Sequence, residues 1–153
     1  MPNPTNESNS DQPVQSKVLL AINDFIGRFA DRVGTELDPL DDTGFSELRY
    51  GNLAVGITAN PEHDLLLFLV PVDELPNDAS SAFYRHLLAL NFTATGPCAF
   101  AIDEERKRLC LRILRPLTGL SYQEFEQLLQ TIASVGETML AHLKQLAEQE
   151  HHG

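Results

Sequence analysis

The residues able to do chemistry are few and scattered. His63-Asp64 sets an imidazole beside a carboxylate, the pairing used in general base catalysis, and Asp103-Glu104-Glu105 crowds three carboxylates together. Both fall in stretches rich in turn residues, where solvated charge is the ordinary reading. His86 and His142 lack a second metal-binding side chain three or four residues away, as a helical site needs, so they read as packed or interface imidazoles. His151-His152 belongs to the tail. Cys98 and Cys110 flank an expected hairpin and read as two small buried thiols, with a cross-hairpin disulfide left open by the spacing. Arg106, Lys107, Arg108, Arg112 and Arg115 gather five of the eleven bases, the makings of a phosphate patch, but Asp103, Glu104 and Glu105 adjoin them. A locally neutralised hairpin is the expectation. Glycine-rich phosphate loops, H-E-x-x-H, C-x-x-C and G-x-S-x-G are all missing from the sequence. No enzyme emerges, and neither a cofactor nor a metal is expected.

Composition narrows the class further. A chain of 153 residues with 42% apolar residues suits one domain with one core. The formal charge is −11, which repels nucleic acid phosphates and anionic lipid surfaces. From Asp31 to Asp78 eleven acids face only Arg32 and Arg49, so one side of the molecule is expected to be acidic. The longest apolar run, Leu65 to Val72, is interrupted by Pro71 and is too short to span a bilayer. The start carries no basic segment followed by an apolar one, so neither membrane nor Sec-type export is expected. Two cysteines without a disulfide framework point to a reducing compartment, the cytoplasm.

Residues 1–16 are nearly all small or polar, and ordering them would cost entropy that no burial offsets, so a disordered arm is expected. A single α+β domain is expected over 17–147. Val18, Ile22, Phe25 and Phe29 recur at helical spacing after Ser16, with Gly34 as the stop. The period then drops to two. A short strand near Glu47 to Tyr50 precedes a hairpin of Leu53, Val55 and Ile57 with Leu65 to Val70, ended by Pro71. Opposite these, Ala54 and Gly56 give the second sheet face a low profile, open to a helix or a foreign segment. Ser80 or Ser81 caps a short helix that Asn91 closes, and a second hairpin pairs Phe100 and Ile102 with Leu109, Leu111 and Ile113. Ser121-Tyr-Gln-Glu124 reads as a capping box opening a long helix to Ala147, followed by a frayed tail over 148–153. The predicted order is α-β-β-β-α-β-β-α, helices on an antiparallel sheet.

This fold carries more apolar area than one sheet can cover. On the short helix Phe83, Leu87 and Leu90 form one stripe and Tyr84, Leu88 and Phe92 another. A homodimer seam on Phe83, Tyr84, Leu87, Leu88 and Leu90 is therefore expected.

The segments His86-Leu-Leu-Ala-Leu-Asn91-Phe92, Gly96-Pro97, Phe100-Ala-Ile-Asp103, Leu109-Cys-Leu-Arg-Ile113 and Leu120-Ser-Tyr-Gln-Glu-Phe125-Glu-Gln-Leu128-Leu129 resemble the class I chaperones of bacterial type III secretion, the Tir-chaperone (CesT) family. The resemblance runs from Lys17 to Ala147. The turn Asp103 to Arg108 departs from it, because the family usually has a tighter turn with glycine there. The resemblance implies an acidic cytoplasmic homodimer that holds the N-terminal region of a secreted effector in extended form, without nucleotide. It places the effector groove between the first helix and the first sheet, on Phe25, Ile26, Phe29, Leu48, Tyr50, Leu53 and Val55. About half of these seven are expected to touch the guest, and Asp31, Asp41 and Asp42 around them would select basic segments. Two other readings stand beside it: a regulator of the same fold that sequesters a small regulatory protein, and an enzyme working through His63, Asp64 or His86.

Overall fold

The computed structural model describes residues 12–152, with side-chain surroundings for 17–148. Helix α1 spans Gln12–Val33, strands β1 to β3 span Phe45–Tyr50, Leu53–Asn60 and Leu65–Glu74, and helix α2 spans Ser81–Thr93. Strands β4 and β5 follow at Ala99–Asp103 and Arg108–Arg115, and helix α3 closes the described chain at Tyr122–His152. The five strands form one antiparallel sheet in the order β1-β2-β3-β5-β4.

The period-two pattern decides which way that sheet faces. Cross-strand partners Leu48 and Val55, Ile57 and Phe68, Phe68 and Ile113, and Leu111 and Phe100 fall on one face, and all are buried. Helix α3 crosses the middle of this face. Its Phe125 ring stacks edge-on against Phe68 at 5.6 Å and meets Phe25 of α1 at 5.7 Å, so three aromatics tie α1 through α3 to the sheet. Gly136 lets α3 lie low, because a Cβ there would sit 3.1 Å from Leu53.

Several element ends differ from the sequence expectations. Helix α1 begins at Gln12, ahead of Ser16, and α3 runs past Ala147 to His152; the rest of the expected arm, residues 1–11, lies outside the described residues. Pro71 does not end β3. Pairing with β2 stops at Leu69, and Pro71 sits beyond it opposite Cys110, just before a bulge, where a missing N–H costs no ladder bond. Asn91 does not close α2, which continues to Thr93; its side-chain amide instead reaches β4. Ser80 is the α2 cap, its hydroxyl accepting from the Phe83 N–H at 3.2 Å. The capping box at α3 is half made: the Ser121 hydroxyl accepts from the Glu124 N–H at 3.1 Å, but the Glu124 carboxylate goes to Arg115 at 2.8 Å. In the turn Asp103 to Arg108, Lys107 takes the positive φ of 52° that glycine adopts without strain.

Gly44 is the tightest backbone point. Its φ is 83°, its N–H donates to the Asp41 carbonyl, and its own carbonyl accepts from the Ala59 N–H at 2.9 Å. A Cβ here would run into the Ala59 carbonyl oxygen. Gly44→Ala is expected to destabilise the domain by about 2 kcal/mol or more, through both strain and displacement of the β1 start. Equilibrium urea unfolding tests this, and an unchanged midpoint would contradict it.

Candidate functional site

At the β1 edge the helical layer does not close. The C-terminal half of α1, the middle of α3 and the end of β1 bound a trench of about 480 Å³, lined by Phe29, Val33, Leu48, Tyr50, Leu129 and Ala133. Its floor is core and its rim is loose: Phe29 and Leu48 are 3% and 1% exposed, whereas Val33 and Tyr50 are 46% and 50% exposed. Of the seven groove residues expected from the sequence, Ile26, Phe29, Leu48, Leu53 and Val55 are buried. Phe25 is half-buried and committed to Phe125 and Tyr122, at 5.7 and 5.8 Å. Tyr50 alone is open. Val33, Leu129 and Ala133 went unassigned to the groove, because a helical stripe reveals that a face is apolar but not which neighbour leaves it uncovered.

The backbone at that edge is unevenly dressed. Phe45 points its N–H and C=O away from β2, where the Asp41 carboxylate accepts the N–H at 3.0 Å and the Asp41 N–H donates to the carbonyl at 2.8 Å. Strand alternation then turns the N–H and C=O of Glu47 and Arg49 to the same open side. No intramolecular partner for these four groups is found among the described residues. Asp41 is thus a plug at the start of β1 and not a free acid awaiting a guest. The Thr43 hydroxyl and the Phe45 N–H, both donating to it, hold its carboxyl below the usual carboxylate range.

The opposite edge is closed by a side chain. On β4 the Phe100 N–H donates to the Asn91 amide oxygen at 2.7 Å, and the Asn91 amide nitrogen donates back to the Phe100 carbonyl at 3.4 Å. This clasp mimics a strand partner and blunts β4 against further pairing. Beside it lies the other bare apolar patch. Leu88 and Phe92 of α2 are 68% and 88% exposed, Ile102 is exposed and Tyr84 half-buried, around a notch of about 350 Å³. Of the expected seam residues, Phe83 and Leu90 are half-buried against the core and Leu87 is fully inside it. The stripe that the sheet does not cover is Tyr84, Leu88 and Phe92.

The chemical candidates do not assemble. Asp64, in the β2–β3 turn, accepts from the Thr118 N–H and hydroxyl at 2.8 and 2.9 Å, which spends its carboxylate on holding the segment after β5. His63 lies in that same turn and His86 on α2. His86 and His142 do meet, at 2.9 Å between their Nε2 atoms, a contact that no local spacing announced. In the basic hairpin two cations are paired, Lys107 to Glu104 at 2.8 Å and Arg108 to Asp103 at 3.9 Å. Cys110 stands opposite Ala101, Cys98 lies before β4, and both thiols are free. Burial pushes Cys98 up to about 11 and raises Cys110 as well, so neither supplies a useful thiolate at neutral pH. Among the described residues no group of three metal-ligating side chains converges, and no helix is long and apolar enough to cross a membrane.

Helices on one face of an antiparallel sheet, an apolar trench at one edge and an exposed apolar stripe at the other are surfaces that another polypeptide can cover. A model of the Tir chaperone protein (CesT) family matches residues 24–140, and the chain belongs to that family. No curated protein matches it by sequence. Among solved structures, a chain of the ExsC–ExsE complex superposes with a TM-score of 0.66 at 21% identity, over 78% of this chain and 91% of that one. A chain of the HopA1–SchA chaperone–effector complex gives 0.60 at 16% identity, over 79% and 91%. The Yersinia pestis type III secretion chaperone SycH, in complex with a fragment of YscM2, gives 0.56 at 17% identity, over 76% and 97%.

Proposed function

We propose that this protein is a dimeric cytoplasmic chaperone of bacterial type III secretion, which holds the N-terminal segment of a secreted effector extended, soluble and ready for export. Membership of the Tir chaperone family supports the class, and the neighbouring structures include a chaperone–effector complex. The observation that carries the reading is the meeting, at β1, of an apolar trench with the unpaired backbone groups of Glu47 and Arg49. A guest strand added there hydrogen-bonds to those four groups and drops alternate side chains into the trench. The Asp41 plug confines this pairing to the second half of β1. The surplus of acids from Asp31 to Asp78 attracts basic guests, an effect that fades as salt rises.

The test is co-expression with the N-terminal region of a type III secretion effector. The guest's N-terminal region is expected to stay soluble only in company, and the Glu47 and Arg49 amides to exchange hydrogen more slowly in the complex. A guest equally soluble alone, or unchanged exchange at β1, would overturn the reading.

A further inference from the structure

The contact between His86 of α2 and His142 of α3 joins residues 56 positions apart and plays no part in the trench. Its geometry is specific. The Nε2 atoms are 2.9 Å apart and the ring centroids 5.2 Å. The centroid separation exceeds the nitrogen separation by the full reach of two rings, so the nitrogens meet head on, as a linear N–H···N bond requires. Two ligands of one metal ion would instead aim their lone pairs at a third point.

We propose that the His86–His142 pair is a proton-operated latch that fixes α2 on α3 near neutral pH and releases it on acidification, loosening the dimer seam that α2 carries; the seam part rests on the function proposed above. The proton count sets the behaviour. One Nε2 must carry hydrogen and donate, and the other must keep its lone pair and accept. A first added proton, taken at an Nδ1, leaves that bond in place, an imidazolium donating to a neutral ring. A second fills the accepting lone pair, and two N–H groups with two like charges then face each other across the gap. Two added protons therefore break the bond that holds α2 on α3.

Charged groups around the pair do little to relieve that conflict. Arg85 on α2 and Lys144 on α3 are exposed cations, and Glu137 of α3 is exposed. On β4 and β5, Asp103 and Arg108 pair with each other at 3.9 Å. Asp73 and Asp78 line a pocket of about 350 Å³ with Phe83 and Leu143, along the same α2–α3 junction. Among the described residues no carboxylate comes within 4.0 Å of either ring.

The experiment compares the full chain with His142→Gln, whose amide supplies a donor and an acceptor but takes up no proton in this range. Amide exchange over Ser81–Thr93, corrected for intrinsic rates, is read at pH 7.5 and 5.5 together with the sedimentation equilibrium. In the native chain α2 exchange and dimer dissociation are both expected to rise about tenfold on acidification, the factor that one lost hydrogen bond carries. The variant is expected to respond to neither. Imidazole 15N shifts of the native chain give a second reading at pH 7.5: one Nε2 protonated and one bare. Two alike nitrogens, a native α2 indifferent to pH, or a full response retained in the variant would each overturn the latch. A chain monomeric at both pH values would remove the seam while α2 exchange still judges the latch.

Discussion

Leu88→Asp with Phe92→Asp is expected to yield a folded monomer. The two side chains are 68% and 88% exposed, so neither supports the core, and charging them leaves the subunit's fold alone. In the proposed dimer the account differs. Phe92 is a knob, and the notch of Tyr84, Leu87, Leu88, Phe100, Ile102 and Leu109 is a hole on the same face. A two-fold axis requires that arrangement, because each surface must receive what it presents. Burying an unpaired carboxylate costs several kcal/mol, and two substitutions act twice each in a symmetric seam, so dissociation is expected to rise by about a thousandfold or more. Sedimentation equilibrium and far-ultraviolet circular dichroism check the two halves of the claim. A dimer of unchanged strength would move the seam elsewhere. Leu87→Asp asks a different question: at 3% exposure Leu87 is core, and its loss is expected to unfold the subunit.

The second large effect separates the floor of the trench from its rim. Phe29→Glu places a carboxylate where the native ring is 3% exposed, against Leu48 and Leu129. Losing a buried phenyl costs about 3–5 kcal/mol and burying an unpaired carboxylate several more, together comparable to the about 5–15 kcal/mol that holds a domain folded. Loss of cooperative unfolding is the expected result, so this variant says nothing about the guest. Val33→Glu with Tyr50→Glu says a great deal. Both side chains are about half exposed at the trench mouth, and charging them is expected to leave the unfolding midpoint near native while guest capture falls at least a hundredfold, about 3 kcal/mol. Native-like capture by that double variant would place the guest outside the trench.

These tests follow from how residues divide between core and surface, and that division was only partly readable beforehand. The two alternations of Leu53, Val55, Ile57 and Phe100, Ile102 showed strands, because a period of two has one structural solution. The stripe from Phe125 to Leu146 showed a helix buried along one side. Pro71 and Asn91 misled as terminators for the same reason: each residue type has a local tendency, and the tertiary partner overrode it. For Pro71 the override is the absence of a β2 neighbour beyond Leu69. For Asn91 it is a strand edge in need of two hydrogen bonds.

The sequence by itself determined the element order, the acidic and apolar character, the two apolar stripes of α2 and the resemblance to the Tir chaperone family, since each depends on residue type and short-range period. The tertiary structure alone decided which apolar residues are floor and which rim, which sheet edge stays open, and that His86 meets His142. The reason is physical: exposure and edge pairing depend on what packs against a residue, and that partner comes from far along the chain, where spacing carries no signal.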